Sequence, residues 1–435
     1  MSEALLRRIL IPVTILVLLA YYLFFVAPGL KLYFDNDDMM NLYFAWSRPL
    51  LQSYRPLGAL FYRVMFAEAG FDPLPFRFVC ITLGAINMGL CFWFVRLATE
   101  SNRIAALAVL LFAFHSRMME VWYRTAVIYD LLCFAFFYLA ACLYMRQRNA
   151  AALVCFIAAL GAKENAVALP VVLLTWDLLN RRFLKSYVPL ICGLIDIPYL
   201  WFKTHGSGAL AQIEPYQSQF TLNRFAHTWA LYLNYIFLRQ DGILPWMALA
   251  ILAVLLAIAF RSKNLLFAWV ILFAPVLPVA FLEFRGAFVL YTSYPGWALY
   301  AATVLVSLQN LVRVHRTALA CAVFVLVGWR WGKINLHDQR IDPAKPWLYQ
   351  SPIQVRQLAD ALPALAPQLR VGTRCLFLND AFSTEEWTPY FIMKLFYRDD
   401  TLVADRAKMM TTQPSPGDYQ FVFTYENGQY RRLKP

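Results

Sequence analysis

The chain has 435 residues, of which 61% are hydrophobic and only 15% are charged, and its mean hydropathy is +0.53. Soluble domains carry about 25% charged residues, so the composition excludes an ordinary soluble protein and predicts one that crosses a membrane repeatedly. The net charge is +13, but the stretch from residue 335 onward holds 12 Lys and Arg against 11 Asp and Glu, a net of +1. The remaining +12 lies in short loops of the membrane part, which indicates topology signals and an anionic lipid ligand, not nucleic acid.

Apolar runs predict about eleven membrane-spanning helices, several of them short enough to need shielding by neighbours. Arg7 and Arg8 precede the first run, and no small-residue cleavage site follows before Pro28, which predicts an uncleaved signal anchor. The runs lie at about 9–27, 76–97, 103–116, 124–145, 149–162, 164–180, 186–203, 243–260, 264–282, 288–309 and 316–332.

Basic clusters give the orientation, because short loops rich in Lys and Arg stay cytoplasmic. With eleven spans, all six clusters agree on a cytoplasmic N-terminus and a C-terminus on the other side. The segment 224–240 would break this alternation if it crossed, so we expect it to be interfacial or re-entrant. The clusters are Arg7/Arg8, Arg96/Arg103, Arg146/Arg148, Arg181/Arg182/Lys185, Arg261/Lys263 and Arg313/Arg316.

Three stretches are then exposed on the outer face: residues 28–75, residues 204–242 and everything after about 333. The predicted fold class is an all-α polytopic membrane protein with a small C-terminal α/β or α+β extracytoplasmic domain. We predict a transmembrane catalytic domain over 1–333, with 28–75 as its first outer loop, and a soluble domain over 334–435. PLGALFYRVMFAEAG in the loop predicts a helix, either on the membrane surface or in the core of an outer cap.

The tail predicts two helices and two strands. SPIQVRQLADALPALAP indicates a helix that begins at Ser351 and Pro352, and TEEWTPYFIMKLFYRDD a helix after a Thr384 cap with Pro389 in its first turns. RCLFLND and DYQFVFTYE indicate strands. The eight cysteines show no CxxC or Cys/His spacing, and seven of them fall in apolar runs, so we expect unpaired packing residues.

Acids and bases cluster on the predicted outer side. Polar and ionisable residues at membrane depth are rare and usually functional, although interhelical ion pairing is the alternative for any single pair. The clusters are FDNDD with Asp35, Asp37 and Asp38; SYRPL with Tyr54 and Arg55; FHSRMMEVWYR with His115, Arg117, Glu120 and Arg124; GAKEN with Lys163 and Glu164; and LEFRGAFVLYTSY with Glu283, Arg285, Tyr291 and Tyr294.

Several of these residues also have ordinary structural explanations. His115 is typical of a packing histidine with both ring nitrogens satisfied, and Asp35 of a solvated or helix-capping residue. Tyr291 and Tyr294 could belong to an aromatic belt at the membrane interface. Arg117 could extend toward lipid headgroups.

Taken in order, these motifs resemble the GT-C superfamily of membrane glycosyltransferases, and most closely its protein O-mannosyltransferase-like branch and the metazoan relatives with TPR repeats. Those relatives carry an Asp-Asp pair, a Ser-Tyr-Arg-Pro-Leu motif, a His-Pro…Glu-Ala-Val motif and a later Lys-Glu pair. The likeness spans residues 1 to about 300. The chain departs from the pattern in having Ser116 in place of the Pro and in lacking TPR repeats. The matches here are Asp37-Asp38, Ser53–Leu57, His115 with Glu120-Val121, and Lys163-Glu164.

The resemblance implies transfer of a sugar from a polyprenyl-phosphate-linked donor to an acceptor hydroxyl on the extracytoplasmic face. It implies Asp37 as the general base, since the family's catalytic acid is the first of the pair, with Asp38 second. A carboxylate within about 3 Å of the hydroxyl could accept its proton, and a neighbouring acid would raise its pKa. The acceptor could be a protein, a surface glycan or a lipid.

The lipid phosphate that leaves needs fixed positive charge. We predict Arg55, Lys163, Arg285 and Arg124 as donor-phosphate ligands, and Glu120, Glu164, His115, Tyr54 and Tyr291 as substrate-binding residues. No cofactor and no metal are predicted, although three acids within four residues could hold a divalent ion. No Gly-rich phosphate loop is present, which argues against a cytoplasmic nucleotide-sugar donor.

Two rival hypotheses remain open. A transporter or flippase of lipid-linked glycans would use the same charges, but such folds often show internal repeats, which this sequence lacks. A membrane scaffold that only presents the tail would tolerate Asp37→Asn and Lys163→Ala. The absence of N-x-S/T sequons, an ER-retrieval tail and TPR repeats favours a bacterial inner-membrane enzyme with a periplasmic active site and tail.

Overall fold

The computed structural model describes residues 3–182, 187–205, 217–237, 253, 255–258, 260–311, 329–330, 332–334, 336–337, 346–412 and 414–434. The chain forms two compact units. The first unit comprises Met1–Ala27, Cys80–Trp122 and Val127–Arg340, and the second comprises Pro28–Val79, Tyr123–Ala126 and Ile341–Pro435. Residues 28–79 therefore belong to the same unit as the tail. The boundary between a transmembrane domain over 1–333 and a soluble domain over 334–435 stays a prediction.

Helices dominate the described residues, as the apolar runs predict. The α-helices are α1 Glu3–Tyr21, α2 Asn36–Ser47, α3 Pro56–Ala69, α4 Pro73–Thr99, α5 Asn102–Ala113, α6 Met119–Tyr123, α7 Ile128–Met145, α8 Asn149–Ala162, α9 Leu169–Leu179, α10 Val188–His205, α11 Leu222–Ile236, α12 Lys263–Phe273, α13 Tyr294–Leu311, α14 Pro346–Leu365 and α15 Thr388–Tyr397. The strands are β1 Arg374–Phe377, β2 Val403–Arg406, β3 Phe421–Glu426 and β4 Gln429–Lys434.

Within the described ranges, three helical stretches are long and apolar enough to cross a membrane, namely Ile9–Lys31, Pro73–Thr99 and Thr125–Met145. A fourth candidate is the pair Asn102–Ala113 and Ser116–Tyr123, which is bent by 62° at a short break. These apolar helices support an integral membrane protein. The predicted total of about eleven spans stays a prediction, and the runs at 243–260 and 316–332 lie mainly outside the described residues.

Close helix packing forms the core of the first unit. α7 packs on α8, and α13 packs on both α12 and α5. A Cβ at Gly296 in α13 would lie 2.4 Å from the Leu272 backbone nitrogen, so only glycine permits this approach of α13 to α12. The seven described cysteines are free thiols, as expected, while Cys321 lies outside the described residues.

The second unit combines α2 and α3 with the α/β tail. α2 packs on α3 and on α15 of the tail. The tail carries a mixed four-stranded sheet of order β2-β1-β3-β4, in which β1 is parallel to β2 and β3, and β4 is antiparallel to β3. The predicted helix in PLGALFYRVMFAEAG is confirmed as α3, with Gly58, Ala59, Tyr62 and Phe66 on its buried face.

Two boundaries predicted in the tail are wrong. α14 begins at Pro346, before Ser351, because proline is well suited to the first position of a helix. α15 begins at Thr388 with Trp387 at the N-cap position, so Thr384 does not cap it, although Pro389 does lie in the first turn. β2 and β4 were not predicted. Asn427 and Gly428, both at positive φ, form the tight turn between β3 and β4.

Candidate functional site

Two aspartates close the start of α2 by capping each other. Asp35 at the N-cap accepts a hydrogen bond from the Asp38 backbone N–H at 2.9 Å, and Asp38 accepts one from the Asp35 N–H at 3.1 Å. Carboxylates are favoured here because the first turn leaves backbone N–H groups without partners and carries partial positive charge. This reciprocal box fixes the direction in which α2 leaves the preceding loop.

Asp38 is a buried structural residue. Its side chain is completely enclosed, accepts a hydrogen bond from the Tyr62 hydroxyl at 2.9 Å and lies 3.9 Å from Nη2 of the equally buried Arg77. Burial raises the pKa of the Asp38 carboxyl to about 7, and Asp35 adds to this shift, whereas Arg77 and the two hydrogen bonds oppose it. Within the triplet, the carboxyl with the raised pKa is therefore that of Asp38, whose enclosed side chain an acceptor cannot contact in this structure.

Asp37 is the accessible acid of the triplet. Its side chain is 54% exposed, and its Oδ2 lies 2.5 Å from Nη2 of Arg124. Nε of Arg124 donates to Asp35 Oδ2 at 2.6 Å, so one guanidinium bridges two carboxylates of the same helix start. Arg124, 25% exposed, thereby orients Asp37, and its charge is engaged by the two acids. This geometry favours an orienting role for Arg124 over the predicted binding of donor phosphate.

The SYRPL motif forms the turn that leads into α3. Ser53 ends a short 3-10 turn and accepts a hydrogen bond from the Arg55 backbone N–H at 3.4 Å. Arg55 occupies the N-cap position and Pro56 the first helical position. Tyr54 and Arg55 are half-buried. The motif thus has a clear structural role in starting α3.

The tail contacts the helix that carries the acids. The Ser351 hydroxyl in α14 accepts a hydrogen bond from the Asn36 backbone N–H at 3.0 Å. The Tyr43 hydroxyl donates to Asp400 Oδ1 at 2.6 Å, and Lys394 Nζ lies 3.3 Å from the same oxygen. The tail therefore helps to hold α2 in place.

Lys163 forms a buried ion pair in the first unit. α8 ends at Ala162, and Lys163 Nζ lies 2.6 Å from Asp130 Oδ1 in the first turn of α7, with both side chains 4% exposed. Nζ also lies 4.9 Å from the ring centroid of Phe288. Sequence reasoning missed Asp130; the available signal was an acid at the start of an otherwise apolar helix.

Three further predicted residues lie in turns of the first unit. Glu164, half-buried, opens a 3-10 turn over Glu164–Ala168. Arg285, also half-buried, precedes Gly286, whose φ of 97° belongs to a region that favours glycine. Glu120 lies in α6, and its side chain is outside the described part.

His115 and Tyr291 have the surroundings of packing residues. Nε2 of His115 lies 2.9 Å from the Ile236 carbonyl oxygen, and Nδ1 is the acceptor for the Arg117 backbone N–H at 3.3 Å, so both nitrogens are engaged in one tautomer. Tyr291 is fully buried, and its hydroxyl accepts from Asn87 Nδ2 at 3.3 Å. Tyr294 is also fully enclosed. The geometry therefore favours packing over the predicted substrate contacts, and burial excludes the aromatic-belt alternative for both tyrosines.

The predicted residues fall into two sets. The structure brings Asp37, Asp38 and Arg124 together at the start of α2, and it places Lys163 beside Asp130 in the other unit. Among the described residues, no group of three or more His, Cys, Asp or Glu side chains has the arrangement of a metal site. Metal independence stays a prediction.

Comparisons with known proteins identify the fold. No protein-family profile matches the sequence, and no curated protein matches it either. The structure is similar to the crystal structure of ArnT from Cupriavidus metallidurans bound to undecaprenyl phosphate, with a TM-score of 0.54 and 14% sequence identity. The match covers 93% of this chain and 86% of the other. The likeness shows that the two chains share a fold, whereas membership of the GT-C superfamily and of its O-mannosyltransferase-like branch stays a prediction.

Proposed function

We propose that this protein is a membrane glycosyltransferase that moves a sugar from a polyprenyl-phosphate-linked donor to an acceptor hydroxyl. The observation that carries the proposal is the likeness, over nearly the whole chain, to a protein with undecaprenyl phosphate bound. The apolar helices supply the lipid-facing scaffold that such a donor needs. The O-mannosyltransferase-like branch, the extracytoplasmic side and the bacterial inner membrane belong to the same proposal.

Asp37 is the proposed general base. It is the acid of the triplet with an accessible carboxylate, and Arg124 and the first turn of α2 hold it in one orientation. Asp37 accepts the proton of the acceptor hydroxyl as its oxygen bonds to the anomeric carbon of the sugar, and the bond from that carbon to the lipid phosphate breaks. Such proton transfer contributes roughly 10²–10⁴ in rate.

The phosphate that leaves requires positive charge. Lys163, Arg285 and Arg55 remain the proposed ligands, while Arg124 is reassigned to orienting Asp37. Lys163 is buried and paired with Asp130, and this pairing fixes the position of its ammonium group. Glu120, Glu164 and Tyr54 remain proposed substrate contacts, and the acceptor remains a protein, surface glycan or lipid.

The test is transfer by the purified full chain, reconstituted in vesicles, from a panel of radiolabelled polyprenyl-phosphate sugars, with a membrane extract as the acceptor source. The proposal expects label to move from the lipid to an acceptor fraction with release of polyprenyl phosphate. Movement of intact labelled lipid between leaflets, without transfer from any donor, would favour the transporter instead. Absence of both activities would favour the scaffold.

A further inference from the structure

A cavity of about 460 Å³ in the second unit is bordered by three arginines. Arg48 follows α2, Arg63 lies in α3 and Arg398 follows α15, and the aromatic side chains of Trp46 and Phe66 complete the wall. The volume lies within the range of about 300–1,000 Å³ that is typical of small-molecule sites. Among the residues that the structure describes, no carboxylate borders the cavity.

Each guanidinium is fixed by contacts that leave its charge unbalanced. The carbon Cζ of Arg48 lies 3.9 Å from the ring centroid of Phe44, and that of Arg398 lies 3.9 Å from the ring centroid of Phe66. Nε of Arg63 donates to the Ala45 carbonyl oxygen at 2.8 Å, and its Nη2 to that of Arg48. Stacking on a ring face leaves the N–H groups at the edge of the guanidinium available to a ligand.

Neighbouring acids are engaged elsewhere. Asp399 follows Arg398 but accepts hydrogen bonds from Thr401 and from the Gly372 backbone N–H, and Asp400 accepts from Tyr43. Within the described part of the chain, none of the three cavity arginines forms an ion pair. Arg77, Arg124 and Arg406 do. Three like charges around one cavity repel each other, so an anion bound there would be stabilised by all three.

Arg398 is also held in an uncommon backbone conformation. It ends α15 at φ 52° and ψ 36°, in the left-handed region, which is unfavourable for a residue with a side chain. Its guanidinium also donates to the Phe66 carbonyl oxygen at 3.5 Å. The left-handed turn and this contact together keep the charge at the cavity wall.

We propose that this cavity binds a phosphoryl group, as a second anion site independent of the sugar donor. Forked guanidinium donors match the oxygens of a phosphate, and three of them exceed what one planar carboxylate can accept. The phosphoryl group could come from a free phosphate or from a lipid headgroup, and the measurement separates these sources.

Calorimetric titration of the purified full chain in detergent, in a phosphate-free buffer, tests the site without any sugar donor. One arm uses inorganic phosphate, and the other uses short-chain phosphatidic acid with the matching diacylglycerol as a phosphate-free control. Arg398→Gln should weaken binding about tenfold or more, as expected for loss of a charge-assisted hydrogen bond. Arg48→Gln should act likewise. Arg370→Gln, an exposed arginine of the same unit away from the cavity, should leave binding unchanged.

The outcomes separate cleanly. If phosphatidic acid binds and inorganic phosphate does not, the ligand of the cavity is a lipid headgroup. If inorganic phosphate binds, whether or not phosphatidic acid also binds, the phosphoryl group itself is the ligand. No binding in either arm, or equal losses for Arg398→Gln and Arg370→Gln, would overturn the proposal. Thermal unfolding of each variant identifies any loss of phosphate binding that comes from misfolding. If a variant fails to fold, Arg63→Lys takes its place in the titration. Failed sugar transfer would leave this result intact.

Discussion

Arg124 and Asp37 form an ion pair, with Nη2 2.5 Å from Oδ2, at a place where the rest of the acidic triplet is enclosed. The same guanidinium reaches back to Asp35, the residue that caps α2. The pair therefore connects an accessible carboxylate to the framework of its own helix. This connection explains why three acids occur so close together: two build the helix start, and one is presented outward.

Arg124→Met should lower kcat for transfer about a hundredfold while leaving the KM for the donor nearly unchanged. A misplacement of about 1 Å at a reacting group costs a factor of this size, and the substitution removes what orients Asp37. Steady-state kinetics at varied donor concentration measure both constants. A large rise in KM with an unchanged kcat would instead assign Arg124 to the donor phosphate. Arg124→Lys, which keeps the charge, should retain more activity than Arg124→Met.

Lys163→Met should destabilise the first unit by about 3–5 kcal/mol, because it leaves Asp130 buried without its cation. The double variant Lys163→Met/Asp130→Asn should recover most of that loss. Denaturant unfolding of the detergent-solubilised protein measures the coupling. If the single and double variants were equally stable, the unpaired Asp130 carboxylate would not be the cause of the destabilisation.

Asp38 should make stability depend on pH in the acidic to neutral range. Its pKa is about 7 in the folded protein and about 3.9 when unfolded, so the folded state holds the proton more tightly. The contribution is complete below about pH 4 and is lost as the pH rises toward 7. Asp38→Asn should remove this decline, and Asp418→Asn, at an exposed site, should not. Parallel stability curves for wild type and Asp38→Asn between pH 4 and 7 would contradict the assignment.

Asp400 should make the folding stability depend on pH in the opposite direction. A hydrogen bond from Tyr43 and the nearby Lys394 hold the pKa of this carboxyl below its usual value. Its contribution to stability is present above the unfolded pKa near 4 and is lost as the pH falls through the folded pKa. Tyr43→Phe should therefore lower the melting temperature at pH 7 and have less effect near pH 2. An equal effect at both pH values would show that the stability lost with the hydroxyl does not depend on the ionised form of Asp400.

The sequence predicts the helices well because the length and period of an apolar run depend on local residues. Asp130 was missed because a single acid in the first turn resembles ordinary favourable placement at a helix N-terminus, and its partner Lys163 lies 33 positions away. β4 was missed because QYRRLK is largely polar, although Asn427-Gly428 before it is a strong hairpin signal.

The roles within the triplet depend on burial, which the spacing of three aspartates does not reveal. Asp37 and Asp38 are adjacent and chemically identical, yet one side chain is 54% exposed and the other fully enclosed. Tyr62 and Arg77, which enclose Asp38, come from helices that follow α2 in the chain. Only the packing of α2 against these later elements decides which carboxylate remains accessible.

Transfer of radiolabel from a polyprenyl-phosphate sugar by Asp37→Asn, compared with Asp418→Asn and wild type, tests the central claim most directly. We predict that Asp37→Asn loses a factor of about 10²–10⁴ in rate while binding the donor normally, and that Asp418→Asn matches wild type. Full activity in Asp37→Asn, with folding and donor affinity unchanged, would contradict the assignment of Asp37 as the base.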